Sequence, residues 1–257
     1  MDLSEKLISI AENEQKAADA NAQLEQILYG SDTGGKSYYD FFWDTYQQNG
    51  ERTNYSMAFS YFWYDAFKPK YDIKPTNASY MFYGNTITGL DLREDKFKEK
   101  YGVEIDLTDI GNLNQFISYS RTKYVGTINA KRAASGLTSA FSNATNLLGI
   151  NKIVMSDIDE TPITINNTAF QNCSALQDIS FEGVIAQTIN FQWSPLTVAS
   201  MKNIIEHLAD YSGTDNEFKY KVTFSSDCIT ALEAEGNTSP NGNSWLEYIE
   251  DLGWLRG

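Results

Sequence analysis

The feature that most constrains the fold is an internal repeat in the middle of the chain. The segment AFSNATNLLGINKIVM, at 140–155, aligns without a gap on AFQNCSALQDISFEGV, at 169–184, which gives a period of 29 residues. The matching pairs are Phe141 and Phe170, Asn143 and Asn172, Leu147 and Leu176, and Ile150 and Ile179. A period of this length is typical of proteins in which each unit stacks on the next.

Units of this length are too short for a strand–helix–strand crossover. They suit a solenoid coil that contains one short strand, a turn and an irregular return. The predicted core of these coils consists of Phe141, Leu147, Ile150, Phe170, Cys173, Leu176 and Ile179. The amides of Asn143 and Asn172 are expected to bond the otherwise unpaired backbone of the turn.

Two upstream pairs of apolar residues, at 87–90 and 125–128, resemble the Leu-x-x-Ile step of the repeat. Each pair follows a phenylalanine, Phe82 and Phe116 respectively. The predicted fold class is therefore α+β: a short irregular α/β solenoid with a parallel sheet, an N-terminal helix and aromatic cap, and a C-terminal helical cap. The predicted segments are an N-terminal helix at 1–36, an aromatic-rich cap at 37–79, the solenoid at 80–194 and the C-terminal cap at 195–257.

The C-terminal cap would cover the last layer of the solenoid, which would otherwise be exposed. Its predicted elements are a helix capped by Thr197 with Met201, Ile204, Ile205 and Leu208 on one side, a strand at 220–224, a short helix near 226–234 and a last helix in SWLEYIEDLG.

The first segment, residues 2–28, has apolar residues at alternating three- and four-residue steps, which predicts a helix. Its apolar stripe is narrow, as in a coiled-coil seam, and Glu14 and Asn21 interrupt it. Two interpretations stay open. Residues 2–28 form a coiled coil, for example a homotrimer, or they form a single helix packed on the body.

Aromatic residues are concentrated near the start of the chain, with 17 of 35 lying between Tyr38 and Tyr83. Four of them, at 61–64, are consecutive, so no regular element can bury all four on one face. Burial as a cap on the open end of the core is the favoured interpretation, because large aromatic side chains are mostly buried. If they are exposed, Tyr61, Trp63 and Tyr64 are the candidate ligand-binding residues, since exposed rings contact sugars and proteins well.

The net charge of −14, from 34 acidic and 20 basic residues, repels phosphate backbones and excludes nucleic acid as a partner. No apolar run reaches the ~20 residues of a membrane-spanning helix, so membrane insertion is not expected. The opening MDLSEKLISIAENEQ lacks the basic start and apolar run of a signal peptide, which predicts synthesis in the cytoplasm. Cys173 and Cys228 are far apart without metal-ligand spacing, and His207 lies on a helical pattern without a catalytic partner.

A phosphate-loop motif, GSDTGGKS at 30–37, is the one pattern that favours an enzyme. Such a loop needs a strand before it, whereas a helical pattern precedes it here. Asp157 could serve as the magnesium ligand, and together with Asp159 and Glu160 it could bind calcium, but no glycine lies at the sharp turn of a calcium loop. The prediction is therefore a non-enzyme without cofactor or metal, with a nucleotide hydrolase as the alternative.

The string TAFQNCSALQDI, at 168–179, resembles the BspA-like leucine-rich repeat, whose pattern is A-F-x-x-C-x-x-L-x-x-I. The matching residues are Ala169, Phe170, Cys173, Leu176 and Ile179, while the preceding coil departs from the pattern with Ala144 in place of cysteine. The resemblance implies that the solenoid is a short, irregular leucine-rich repeat.

The wider arrangement, with DFFWDTYQQNGERTNY, FKPKYDIKPT and NFQWSPLT, resembles proteins encoded among tail and baseplate genes of phages and prophages of gut Firmicutes. This implies a location in the virion or outside the cell, with a bacterial surface protein or glycan and other tail proteins as partners. BspA-like repeats on bacterial surfaces are associated with adhesion, so a cell-surface adhesin is the alternative. Neither association is catalytic.

Overall fold

The computed structural model describes residues 52–62, 67–157 and 162–257, together with Gln15, Lys16 and Asp19. Within these ranges the chain is a mixed α+β structure with two parallel sheets and four helices. The strands are β1 (Asp91–Leu92), β2 (Tyr124–Asn129), β3 (Gly149–Val154), β4 (Asp178–Glu182), β5 (Ile189–Phe191), β6 (Lys221–Phe224) and β7 (Leu255–Arg256). The helices are α1 (Glu94–Tyr101), α2 (Val198–Glu206), α3 (Ser226–Glu233) and α4 (Trp245–Asp251).

The first sheet has the strand order β1-β2-β3-β4 and the second has the order β5-β6-β7, and all neighbouring strands are parallel. The register of the first sheet aligns one buried apolar column, formed by Leu92, Val125, Ile150 and Ile179. All four side chains belong to the hydrophobic core of the molecule.

The register corrects the predicted alignment of the upstream repeat. Val125 pairs with Ile150 and Ile128 pairs with Ile153. The pair at 125–128 therefore matches residues 150–153, whereas the Leu-x-x-Ile pattern assigned it to 147–150. The pattern was misleading because Leu, Ile and Val recur at three-residue spacing both before and within the strand.

The turns before and between the strands of the first sheet are hydrogen-bonded to one another through the backbone. The N–H of Phe59 donates to Met81 O at 2.8 Å, and the N–H of Phe82 donates to Phe116 O at 2.9 Å. Further along, the N–H of Phe141 donates to Ala169 O at 3.0 Å. These bonds hold matching side chains in contact. The ring centroids of Phe59 and Phe82 are 5.1 Å apart, and those of Phe141 and Phe170 are 5.1 Å apart and nearly parallel.

A second buried column carries polar atoms that satisfy the backbone inside the turns. The Asn85 amide donates to Phe82 O at 2.7 Å and to Ser120 Oγ at 2.8 Å, and its oxygen accepts from the N–H of Ile87. At the matching position of a later turn, Cys173 Sγ donates to Phe141 O at 3.1 Å. Because unpaired buried polar groups are costly, these side chains fix the turn conformation.

The predicted role of Asn143 and Asn172 is wrong, since Asn85 performs it instead. Both asparagines adopt left-handed backbone conformations, with φ of 58° and 55°. Their side chains bond each other, with Asn172 Nδ2 donating to Asn143 Oδ1 at 2.8 Å. Asparagine tolerates this conformation better than most residues, which explains its recurrence at this position.

Helix α2 covers the outer edge of β4, the last strand of the first sheet. The N–H of Ile179 donates to Ser200 Oγ at 3.0 Å, and the N–H of Phe181 donates to Asn203 Oδ1 at 2.6 Å. Helical side chains thus replace the missing neighbour strand, which removes an open edge. The predicted α2 is confirmed, with Thr197 as its N-cap, and so are the predicted strand β6 and helices α3 and α4.

We predict that Asn85→Ala lowers the free energy of unfolding by about 2–3 kcal/mol, because it leaves the buried Ile87 N–H without its acceptor and removes the amide donor to Phe82 O and Ser120 Oγ. Urea unfolding followed by tryptophan fluorescence measures the change. Asn146→Ala is the matched control, since Asn146 is exposed, and it should shift stability by less than about 0.5 kcal/mol. Equal effects of the two variants would contradict the structural role of Asn85.

Candidate binding surface

The turns present an outward-facing group of tyrosines. Tyr61, Tyr80 and Tyr119 have left-handed backbones, with φ of 54°, 54° and 57°. A positive φ is uncommon for residues other than glycine and costs roughly 1–2 kcal/mol for an L-residue. The turn requires this backbone conformation, but it does not require a tyrosine side chain.

Backbone hydrogen bonds between successive turns, which we call the ladder, explain why Tyr61 and Tyr119 share one conformation. The N–H of Tyr61 donates to Tyr83 O at 2.8 Å, that of Gly84 to Ser118 O at 2.9 Å, and that of Tyr119 to Ser142 O at 3.0 Å. The same position in successive turns is occupied by Tyr61, Gly84, Tyr119, Asn143 and Asn172, and all five have positive φ. Glycine and asparagine relieve the strain at three of these positions, while tyrosine retains it at two.

The rings cluster around Tyr83. Its ring centroid lies 5.5 Å from that of Tyr61, 5.6 Å from that of Tyr80 and 5.7 Å from that of Tyr119. Gly84 makes room for this arrangement, because a Cβ there would lie 2.8 Å from Tyr61 Cε1. We call Tyr61, Tyr80, Tyr83 and Tyr119 the tyrosine surface.

The tyrosine surface is open to solvent and carries uncharged hydroxyls. Tyr61 is 62% exposed and Tyr119 is 58% exposed, so neither ring repays its backbone strain by burial. Partial burial and a hydrogen bond with Tyr61 raise the pKa of Tyr83 above its usual value. Gln115 Nε2 donates to the Tyr80 hydroxyl at 2.8 Å and orients that side chain. Ring faces next to neutral hydroxyls suit saccharides and protein surfaces.

Of the three predicted ligand-binding residues, Tyr61 lies in the tyrosine surface, whereas Trp63 and Tyr64 lie outside the described residues. Phe62, next to Tyr61, is partly buried against the core. Sequence reasoning missed Tyr80, Tyr83 and Tyr119. The signal that could have found them is their position in the turns, and this becomes visible only when turns of unequal spacing are aligned.

The seven predicted core residues (Phe141, Leu147, Ile150, Phe170, Cys173, Leu176 and Ile179) are all buried. Burial raises the pKa of the Cys173 thiol to about 12 despite a backbone hydrogen bond at Ala144 that lowers it. The thiolate needed for nucleophilic or metal chemistry is therefore not formed at neutral pH. Cys173 acts as a packing residue that also satisfies a carbonyl.

The predicted phosphate loop at 30–37, and Asp159 and Glu160 of the acidic cluster, lie outside the described residues. Asp157 forms an exposed ion pair with Lys131, with Nζ and Oδ2 3.4 Å apart. Among the residues that the structure describes, no group of three or more His, Cys, Asp or Glu side chains could hold a metal ion. Nor does any helix in the described ranges combine the length and apolar character needed to cross a membrane.

No family model matches this chain, and neither a curated protein nor a solved structure matches it.

We predict that Tyr119→Asn leaves the free energy of unfolding within about 0.5 kcal/mol of the parent, because relief of the left-handed backbone offsets the lost contact with Tyr83. Tyr119→Val is the control for backbone strain. A β-branched residue fits this conformation poorly and should lower stability by about 1–2 kcal/mol. Urea unfolding separates the two cases. A loss above about 1.5 kcal/mol in Tyr119→Asn would instead indicate that the ring stabilises the fold.

Proposed function

We propose that this chain is a non-catalytic binding protein whose tyrosine surface contacts a glycan of the bacterial surface. The observation that carries the proposal is the retention of exposed tyrosines at strained turn positions. At Tyr61 and Tyr119 the ring adds little burial, so the fold alone gives no reason to prefer tyrosine over asparagine. A strained residue that does not stabilise the fold points to a role in binding.

The scaffold in this proposal is a short, irregular leucine-rich-repeat solenoid. The parallel order of β1 to β4 supports it, as do the bonded turns and the buried Asn85 and Cys173 at matching positions. Stacked units would hold the tyrosine surface rigid, which lowers the entropic cost of binding. If residues 2–28 form a homotrimer, the three linked copies of the surface would bind a repeating ligand more tightly than one copy does, through their effective concentration.

The proposed setting is a phage or prophage tail, in the virion and in contact with other tail proteins, and it rests on the sequence resemblance. A bacterial surface adhesin uses the same surface chemistry and differs only in its location. The second candidate function is a phosphate-loop nucleotide hydrolase, which the motif at 30–37 favours. The ion pair between Asp157 and Lys131 counts against Asp157 as its magnesium ligand.

We predict that the double variant Tyr61→Asn/Tyr119→Asn loses at least about tenfold in affinity for purified bacterial cell-wall polysaccharide, since stacking contributes about 1 kcal/mol or more per ring. Co-sedimentation with cell walls measures the affinity, and urea unfolding verifies that the variant is folded.

The matched control is Phe218→Asn. Phe218 is also exposed, at 48%, and has a left-handed backbone with φ of 56°, but it lies in the turn before β6. It should bind like the parent. Parent-like binding by the tyrosine double variant would refute the proposal. Saturable binding of magnesium–ATP by the parent, lost in Lys36→Ala, would establish the nucleotide hydrolase instead.

A further inference from the structure

A cavity of about 690 Å³ opens beside the residues that precede the strands of the first sheet. The cavity is lined by the segments that lead into three successive strands. Thr88 precedes β1, Arg121 and Lys123 precede β2, and Thr145 and Asn146 precede β3. These five residues define what we call the cationic pocket. Backbone hydrogen bonds connect these segments: the N–H of Lys123 donates to Leu90 O at 2.7 Å, and the N–H of Leu148 donates to Lys123 O at 2.8 Å. The walls of the cavity are therefore held in fixed positions.

Although the chain carries a net charge of −14, no acidic side chain in the described part of the chain pairs with either cation of the pocket. Other basic residues of the first sheet and its flanks are paired. The Nζ of Lys152 lies 2.7 Å from a carboxylate oxygen of Glu182, and the Arg93 guanidinium donates to both carboxylate oxygens of Asp91. Arg121 makes no ion pair and no side-chain hydrogen bond with any described residue. The Nζ of Lys123 lies 5.6 Å from the ring centroid of Tyr124, and within residues 52–62, 67–157 and 162–257 it forms no ion pair. In an acidic protein, a pair of unneutralised cations creates a local positive potential.

The remaining wall residues supply uncharged hydrogen-bonding groups. The side chains of Thr88, Thr145 and Asn146 are exposed, and within the described residues none of them is engaged in a side-chain hydrogen bond. Two hydroxyls and one amide therefore face the cavity beside the guanidinium. Arginine binds phosphate and carboxylate through two parallel bonds, and hydroxyls and amides suit the alcohol groups of polyols.

We propose that the cationic pocket binds a phosphate or carboxylate group carried by a polyhydroxylated ligand. Arg121 and Lys123 would hold the anion, while Thr88, Thr145 and Asn146 would bond the neighbouring alcohol groups. The inference does not depend on the tyrosine surface, whose residues do not line this cavity.

The test is an NMR titration of the full ¹⁵N-labelled chain at low salt with three anionic probes: glycerol 3-phosphate, glucuronate and inorganic phosphate. Glycerol and glucose are the uncharged counterparts. The expected result is a saturable shift of the Arg121 Nε–H and Asn146 amide signals with the anions and none with the neutral polyols. If glycerol 3-phosphate binds more tightly than glucuronate, the preferred anion is phosphate; the reverse order identifies carboxylate. Weaker binding of inorganic phosphate than of glycerol 3-phosphate measures the contribution of the alcohol groups.

The variant Arg121→Gln/Lys123→Gln should weaken binding by at least about tenfold, since hydrogen bonds to charged groups are lost. The matched control is Lys219→Gln/Lys221→Gln, which removes the same charge from two exposed lysines, one just before β6 and one at its first residue. It should bind like the parent, as should Tyr119→Asn. Equal weakening in both charge variants, or the absence of saturable shifts in the parent, would overturn the proposal.

Discussion

Backbone hydrogen bonds between successive turns are the interaction on which the rest of this structure depends. Side chains at matching positions of neighbouring turns are 23, 35, 24 and 29 residues apart, yet the turns stay in line. Because buried backbone groups must be paired, the turns keep their mutual hydrogen bonds, and the additional residues of the longer intervals lie outside this ladder. The longest interval, between Tyr80 and Gln115, contains helix α1, which packs its one buried residue, Phe97, against the aromatic core.

The sequence predicts the fold well where side-chain identity repeats, and poorly where only backbone geometry repeats. The 29-residue pair of units and the C-terminal elements follow from apolar spacing and capping residues such as Thr197. Upstream, the unequal intervals hide the alignment, and the three-residue shift at 125–128 results from this. Helix α1 was not predicted, although Glu94 and Asp95 begin it, Lys98 and Lys100 lie in its last turn and Gly102 ends it with φ of 72°.

The candidate binding surface was less predictable than the core, for a physical reason. Inward residues are constrained in chemistry because they must be apolar and must fit their neighbours, so a pattern reveals them. Outward residues of the left-handed turns are constrained only in backbone conformation, which Tyr61, Gly84 and Asn143 all satisfy. Their side chains are free to vary with the ligand. The concentration of aromatics pointed to Tyr61, but Tyr119 belongs to the surface through the ladder alone.

The same separation between scaffold and surface explains how an acidic chain can offer a site for an anion. At physiological ionic strength, charges more than about 8 Å apart are largely screened at the protein surface. The overall charge of −14 therefore slows the approach of an anion but does not set the potential at Arg121 and Lys123. Because most acidic partners in the first sheet are occupied, as Glu182 is by Lys152, the local balance at the pocket is positive. Binding is then governed by a few residues at the strand approaches, which the ladder positions without constraining their chemistry.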